Sequence, residues 1–250
     1  MTRLVRAELQ KVFSTRMVWG LLAGLCVLVA LSVVAQVFAP RGPAQPPLDS
    51  GAGLRAVYAG AGGGFVFALA LGILGMTGEF RHLTVTASFL AVPRRGRVVA
   101  AKVLAHAVVG ALYAVTAAIV TILLAVPLLV YVKGIGDPFR DVNLFSIVGY
   151  AALATALYAV VGVGVGVLVR NVIAAILVAL AWVMLVETLI VAFLPKVGKW
   201  LPGGAASAML ESQVPGGRLL EPWQGALLFT AYGVAFALAG TLLTVRRDVT

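Results

Sequence analysis

Six long apolar runs divide this chain, and its polar residues crowd into the gaps between them. The runs cover Met17–Ala39, Ala56–Thr77, Val103–Val132, Leu144–Val169, Val172–Leu194 and Trp223–Val245. Each is about 20 residues or longer, the length a helix needs to cross ~30 Å of hydrocarbon. A helix also satisfies its own backbone hydrogen bonds, which lipid requires. No segment shows the alternating repeat of roughly ten residues that a membrane β-barrel would need. The pattern predicts an all-α integral membrane protein, with six transmembrane helices in one domain over residues 1–250.

Residues 2–16 precede the first run and have a helical stripe. Val5, Leu9, Val12 and Phe13 recur on one face, while Arg3, Arg6, Gln10 and Lys11 lie elsewhere around the helix. A basic amphipathic helix of this kind lies in the headgroup plane, with lipid as its partner. Arg6, Leu9, Lys11 and Phe13 are its candidate interfacial residues. The plainer reading is a basic flank that happens to be helical.

The connections differ from one another. Residues 40–55 hold Pro40, Pro43, Pro46 and Pro47 and are expected to be extended. Pro127 should bend the third helix near its end. Within 195–222, the stretch Trp200–Leu210 is too apolar for a plain loop and too short to span. It reads as a re-entrant or interfacial half-helix, or as a loop lying on the protein. Gly20/Gly24, Gly60/Gly64 and Gly162/Gly166 have the spacing that lets membrane helices approach closely, within one chain or between two.

Composition agrees with the pattern. The chain is 62% hydrophobic and 11% charged, with a mean hydropathy of +1.06, which leaves a soluble domain too little polar surface to cover itself. The formal charge of +10 is informative through its placement. Twelve of the 19 Lys and Arg residues fall on the side that carries the termini: Arg3, Arg6, Lys11, Arg16, Arg81, Arg94, Arg95, Arg97, Lys102, Arg170, Arg246 and Arg247. Basic excess marks the cytoplasmic face, so both termini are expected to be cytoplasmic, in a multi-pass protein of the cell membrane. Nucleic acid is not an expected partner, because the basic residues have no folded domain or interleaved aromatics to accompany them. The first run is too long for a signal-peptide core and is expected to stay as an anchor. Cys26 is the only cysteine, which leaves no intramolecular disulfide.

Candidate chemistry is sparse. Gly198-Lys199 is followed by Trp200, and Gly60–Gly64 carries no lysine, so no phosphate-binding loop is present. The two histidines, His82 and His106, fit no metal-ligand spacing, and Ser32 and Ser146 lack a nucleophile-elbow context. The chain is therefore expected to have no catalytic, cofactor or metal site and to be no enzyme. Glu187 is the one acidic residue inside an apolar run. Such a residue marks either a substrate path or proton-linked group, or a carboxylate paired with a nearby cation or held protonated against backbone.

The most polar long stretch, Gly78–Lys102, mixes Phe80, Phe89 and Leu90 with Arg81, Arg94, Arg95 and Arg97. Pro93 disfavours helix at Val92 and divides the stretch in two. A purely solvated loop has little use for two phenylalanines and a leucine.

The order of these elements resembles the permease subunits of type-2 ATP-binding-cassette exporters. The likeness runs along the whole chain: an arm reading Glu8-Leu-x-Lys11, six spans, and an inner second-to-third connection. In that connection Glu79, Thr84, Pro93, Arg94, Arg95, Arg97 and Lys102 match the family's pattern, whereas Leu83 stands where a glycine is usual. The resemblance implies that Glu79, Phe80, Arg81, Thr84, Phe89, Pro93, Arg94 and Arg95 form a coupling element over residues 79–101 that docks on separate ATPase subunits. It also implies a second permease copy or paralogue and export of an unidentified, lipophilic or amphipathic cargo. A stand-alone secondary transporter or channel, and a non-transporting anchor or sensor subunit, are the alternatives.

Overall fold

A computed structural model describes residues 1–42, 45–81, 95–210 and 219–246, and all regular structure among them is helical. Six helices are long and apolar enough to cross a membrane. A short helix, α1 (Thr2–Ser14), leads into the first span, α2 (Arg16–Phe38). The second span joins α3 (Gly51–Ala59), a 3₁₀ stretch over Gly60–Gly64 and α4 (Phe65–Arg81). The third is α5 (Arg95–Pro127), extended by a π-helical turn over Leu128–Val132. The fourth is α6 (Leu144–Val169). The fifth joins α7 (Val172–Ala181), a second π-helical turn over Trp182–Val186 and α8 (Glu187–Phe193). Two short helices, α9 (Pro195–Gly198) and α10 (Pro202–Met209), precede the sixth span, α11 (Pro222–Arg246).

Helix boundaries depart from the apolar runs where local chemistry extends them. The Ser50 hydroxyl accepts from the Gly53 amide at 3.1 Å, a side-chain N-cap. Gly51–Arg55 are consequently helical and not part of an extended connection. The second span also runs on to Arg81, and the third begins at Arg95. Glu79–Arg81 and Arg95–Lys102 are thus helix ends, where the expected boundaries made them loop. Hydropathy reports which residues lipid tolerates, and charged residues at span ends keep helical geometry while their heads reach polar surroundings. Pro127 lacks the amide that would continue the ladder. The helix widens just after it, with the Lys133 amide donating to the Leu128 carbonyl five residues back.

The fourth span is the hub. In its most apolar 18 residues 67% are buried, against 17% in the fifth span, so α6 is surrounded by protein and α7–α8 are at the edge. Its apolar residues go fully round the helix, as a centrally placed helix requires. Contact with the second span is backbone-close: a Cβ at Gly72 would collide with the Ala159 carbonyl, and one at Gly162 with the Leu69 carbonyl. Gly60 and Gly64 likewise receive Ser32, Leu25 and Val29 of the first span, while Gly20 has nothing within 4 Å. Gly24 receives Phe67 of the second span, so of these six glycines only Gly20 has no packing role inside this chain. The third span turns Leu104, Val108, Leu112, Val115 and Ile119 outward, an exposed apolar stripe suited to lipid.

Candidate functional site

The arm helix α1 does not present its apolar stripe wholly outward. Glu8 and Val12 are buried, and Leu9 packs into a core cluster with Val18, Leu25 and Val109. Phe13 falls off this face: it is 38% exposed and tilts against Trp19, with ring centroids 6.2 Å apart. Arg6 is exposed. A glutamate on an apolar stripe needs a buried partner, because an unpaired charge there carries a large desolvation cost.

That partner is Lys102, at the start of the third span and 94 positions away in sequence. Lys102 Nζ lies 2.7 Å from Glu8 Oε2 and 2.9 Å from Glu79 Oε1. It also donates to the Gly75 carbonyl at 3.3 Å. On the other side, Lys11 Nζ lies 2.6 Å from Glu8 Oε1 and 3.0 Å from Glu79 Oε1. Two carboxylates and two ammonium groups thus alternate around a closed square. Three elements meet in it: the arm, the end of the second span and the start of the third.

The square grades from dry to wet. The side chains of Lys102, Glu8 and Glu79 are 4%, 6% and 13% exposed, whereas Lys11 is 48% exposed. Burial alone would raise the Glu8 carboxyl, but Lys102 and Lys11 outweigh it and hold the group below the usual carboxylate range. Burial would likewise lower Lys11, and its contacts with Glu8 and Glu79 raise it instead. Beneath the square, the His106 ring N–H at Nδ1 donates to the Lys102 carbonyl over 2.9 Å. Gly75 makes room for the other edge of that ring.

The remaining residues expected in the 79–101 element separate. Phe80 packs inward against Met76, Val163 and Val167, and its ring centre is 5.1 Å from the Arg170 guanidinium. Arg170 itself is a left-handed residue (φ 55°) in the two-residue link between the fourth and fifth spans. Arg81 is exposed. Arg95 opens the third helix, and its side chain lies outside the described residues. Thr84, Phe89, Pro93 and Arg94 also lie outside them.

Glu187 is at the opposite end of the bundle, just after the π-helical turn of the fifth span, and is 2% exposed. Of the partners considered for it, the cation is absent among the described residues, and neutral donors meet the carboxylate. Trp182 Nε1 donates to Oε1 at 2.7 Å, and the Gly203 amide, in the first turn of α10, donates to Oε2 at 2.5 Å. The carboxylate thereby joins the fifth span to α10, and a Cβ at Gly203 would collide with it. Beside it is a cavity of about 570 Å³, lined by Glu187, Thr188, Tyr158, Phe65, Ser32 and Arg41 among others. The Arg41 guanidinium is turned to the Gln36 and Pro46 carbonyls, at 3.0 and 2.7 Å.

No protein-family model matches the chain, and no curated protein matches it.

Sequence reasoning missed the pairing of Glu8 with Lys102. The available signal was Glu8 itself, which falls on the same helical face as Val5, Leu9 and Val12.

Proposed function

We propose that this chain is the membrane-spanning permease subunit of an ATP-binding-cassette exporter in the cytoplasmic membrane, with both termini on the cytoplasmic side. It would use ATP hydrolysed by separate ATPase subunits and pair with a second permease copy or paralogue. One observation carries the reading: four ionisable residues of the family-like pattern, Glu8, Lys11, Glu79 and Lys102, converge in one ionic square. Residues so far apart in sequence gain nothing from a shared pattern unless arm and connection work as one piece. A push on residues 79–102 from a partner would pass through the square to the arm and into the second and third spans together.

A stand-alone carrier is the second reading, and Glu187 favours it as a buried carboxylate beside a cavity. Reconstitution in vesicles separates the two. Cargo movement is expected only when a partner ATPase subunit and ATP are both present. Transport by the chain alone, driven by an ion gradient and without ATP, overturns the proposal.

A further inference from the structure

Glu187, beside the cavity, forms no ion pair among the described residues. Among the described residues, three Asp, Glu, Lys or Arg side chains are buried: Glu8, Lys102 and Glu187. The first two neutralise one another. Glu187 has no Lys, Arg or His within ion-pair distance among the described residues, only the Trp182 indole and the Gly203 amide. A carboxylate has about four lone-pair sites, and two protein donors leave the others open. An anion at this depth without a counter-charge is costly, and such residues mark places where charge is supplied from elsewhere.

The walls show what could supply it. Phe65 and Tyr158, with ring centroids 4.4 Å apart, line the same cavity as Glu187. Aromatic faces attract cations through the ring quadrupole, most strongly where water is excluded. The volume lies within the ~300–1,000 Å³ range of small-molecule sites. Thr188, Ser32 and Ser207 add hydroxyls without adding charge. Arg41 also borders the space, and its guanidinium is turned to the backbone carbonyls of Gln36, at the end of the first span, and of Pro46.

We propose that this cavity is a binding site for an organic monocation with an apolar body, its charge set against Glu187 and its body against Phe65 and Tyr158. The inference rests on the transport reading in one respect, since it names the class of cargo. Its test needs neither ATP nor an ATPase, so binding and ATP coupling fail separately.

The experiment measures equilibrium binding of tetraphenylphosphonium to the purified full chain in detergent, with tetraphenylborate as a probe of similar shape and opposite charge. Saturable binding at one site per chain is expected, with the phosphonium bound at least about tenfold tighter than the borate. Glu187→Gln keeps an acceptor oxygen for Trp182 or Gly203, and should lower phosphonium affinity about tenfold or more without weakening the borate. Phe65→Leu should weaken phosphonium binding about two- to fivefold. Equal affinities of the two probes on the wild-type chain, or unchanged phosphonium binding in folded Glu187→Gln, overturn the proposal. If Glu187→Gln does not fold, the wild-type discrimination and Phe65→Leu decide it.

Discussion

Glu8 and Lys102 are the residues whose roles depend most on each other. Removing one partner of a buried ion pair leaves the other charge uncompensated, at a cost of about 3–5 kcal/mol. Lys102→Met leaves Glu8 and Glu79 facing each other with Lys11 as their remaining partner in the square, and should show that full effect. Glu8→Gln should cost less, because Glu79 still pairs with Lys102. The double variant should be milder than the sum, read as thermal stability in a double-mutant cycle. The pH dependence has a definite sign. Glu8 titrates below its unfolded value, so its stabilisation is present at neutral pH and is lost as pH falls through the lowered folded value. Lys11 titrates above its unfolded value, so its share is present below that value and is lost only as pH rises through the raised folded one. Arm amides should therefore lose hydrogen-exchange protection on acidification, after correction for intrinsic rates. The Glu8→Gln variant should not show that acid-linked change.

At the scale of elements, the glycines of the second and fourth spans set how close two helices come. Gly162→Ala would place a methyl group on the Leu69 carbonyl, and overpacking of this kind costs about 1–3 kcal/mol. Gly20→Ala has nothing to meet and should change stability by less than about 0.5 kcal/mol. Comparing the unfolding temperatures of the two solubilised variants checks the assignment of these motifs to packing within the chain. The six membrane-length helices were legible because long apolar runs carry their own signal. Their ends were not, since Ser50 capping and the helical continuation to Arg81 depend on side-chain and backbone geometry that hydropathy does not register. The arm's helical period was legible as well. Its inward-facing side was not, because Glu8 and Lys102 meet only through the packing of α1 on the third span. For Glu187 the sequence pointed to burial, but its donors come from a π-helical turn and from a separate short helix.

For the whole molecule, the question is how a partner's push would reach the spans. Glu79→Arg is a poor probe of docking alone, because it would break the ionic square as well. Reversal at Arg94 and Arg95 substitutes none of the four residues of the square. In the proposed complex with ATPase subunits, Arg94→Glu with Arg95→Glu should leave ATP hydrolysis running while cargo movement falls to background. Unchanged coupling in correctly inserted protein would remove this stretch as the docking surface. The proposed cation site is at the other end of the bundle, so energy would enter at one end and cargo would be held at the other. The central fourth span touches the second, third, fifth and sixth, so a change in the tilt of any of these four bears on it.

That central position has a consequence for how the protein is made. The ribosome delivers the first three spans before α6, so the spaces that Gly72 and Gly110 leave for it stand empty until Leu144 and its successors emerge. All four members of the ionic square precede Leu144. The unfinished chain thus carries its own clasp: charge can hold the arm, second and third helices in register before the helix that packs them has been synthesised.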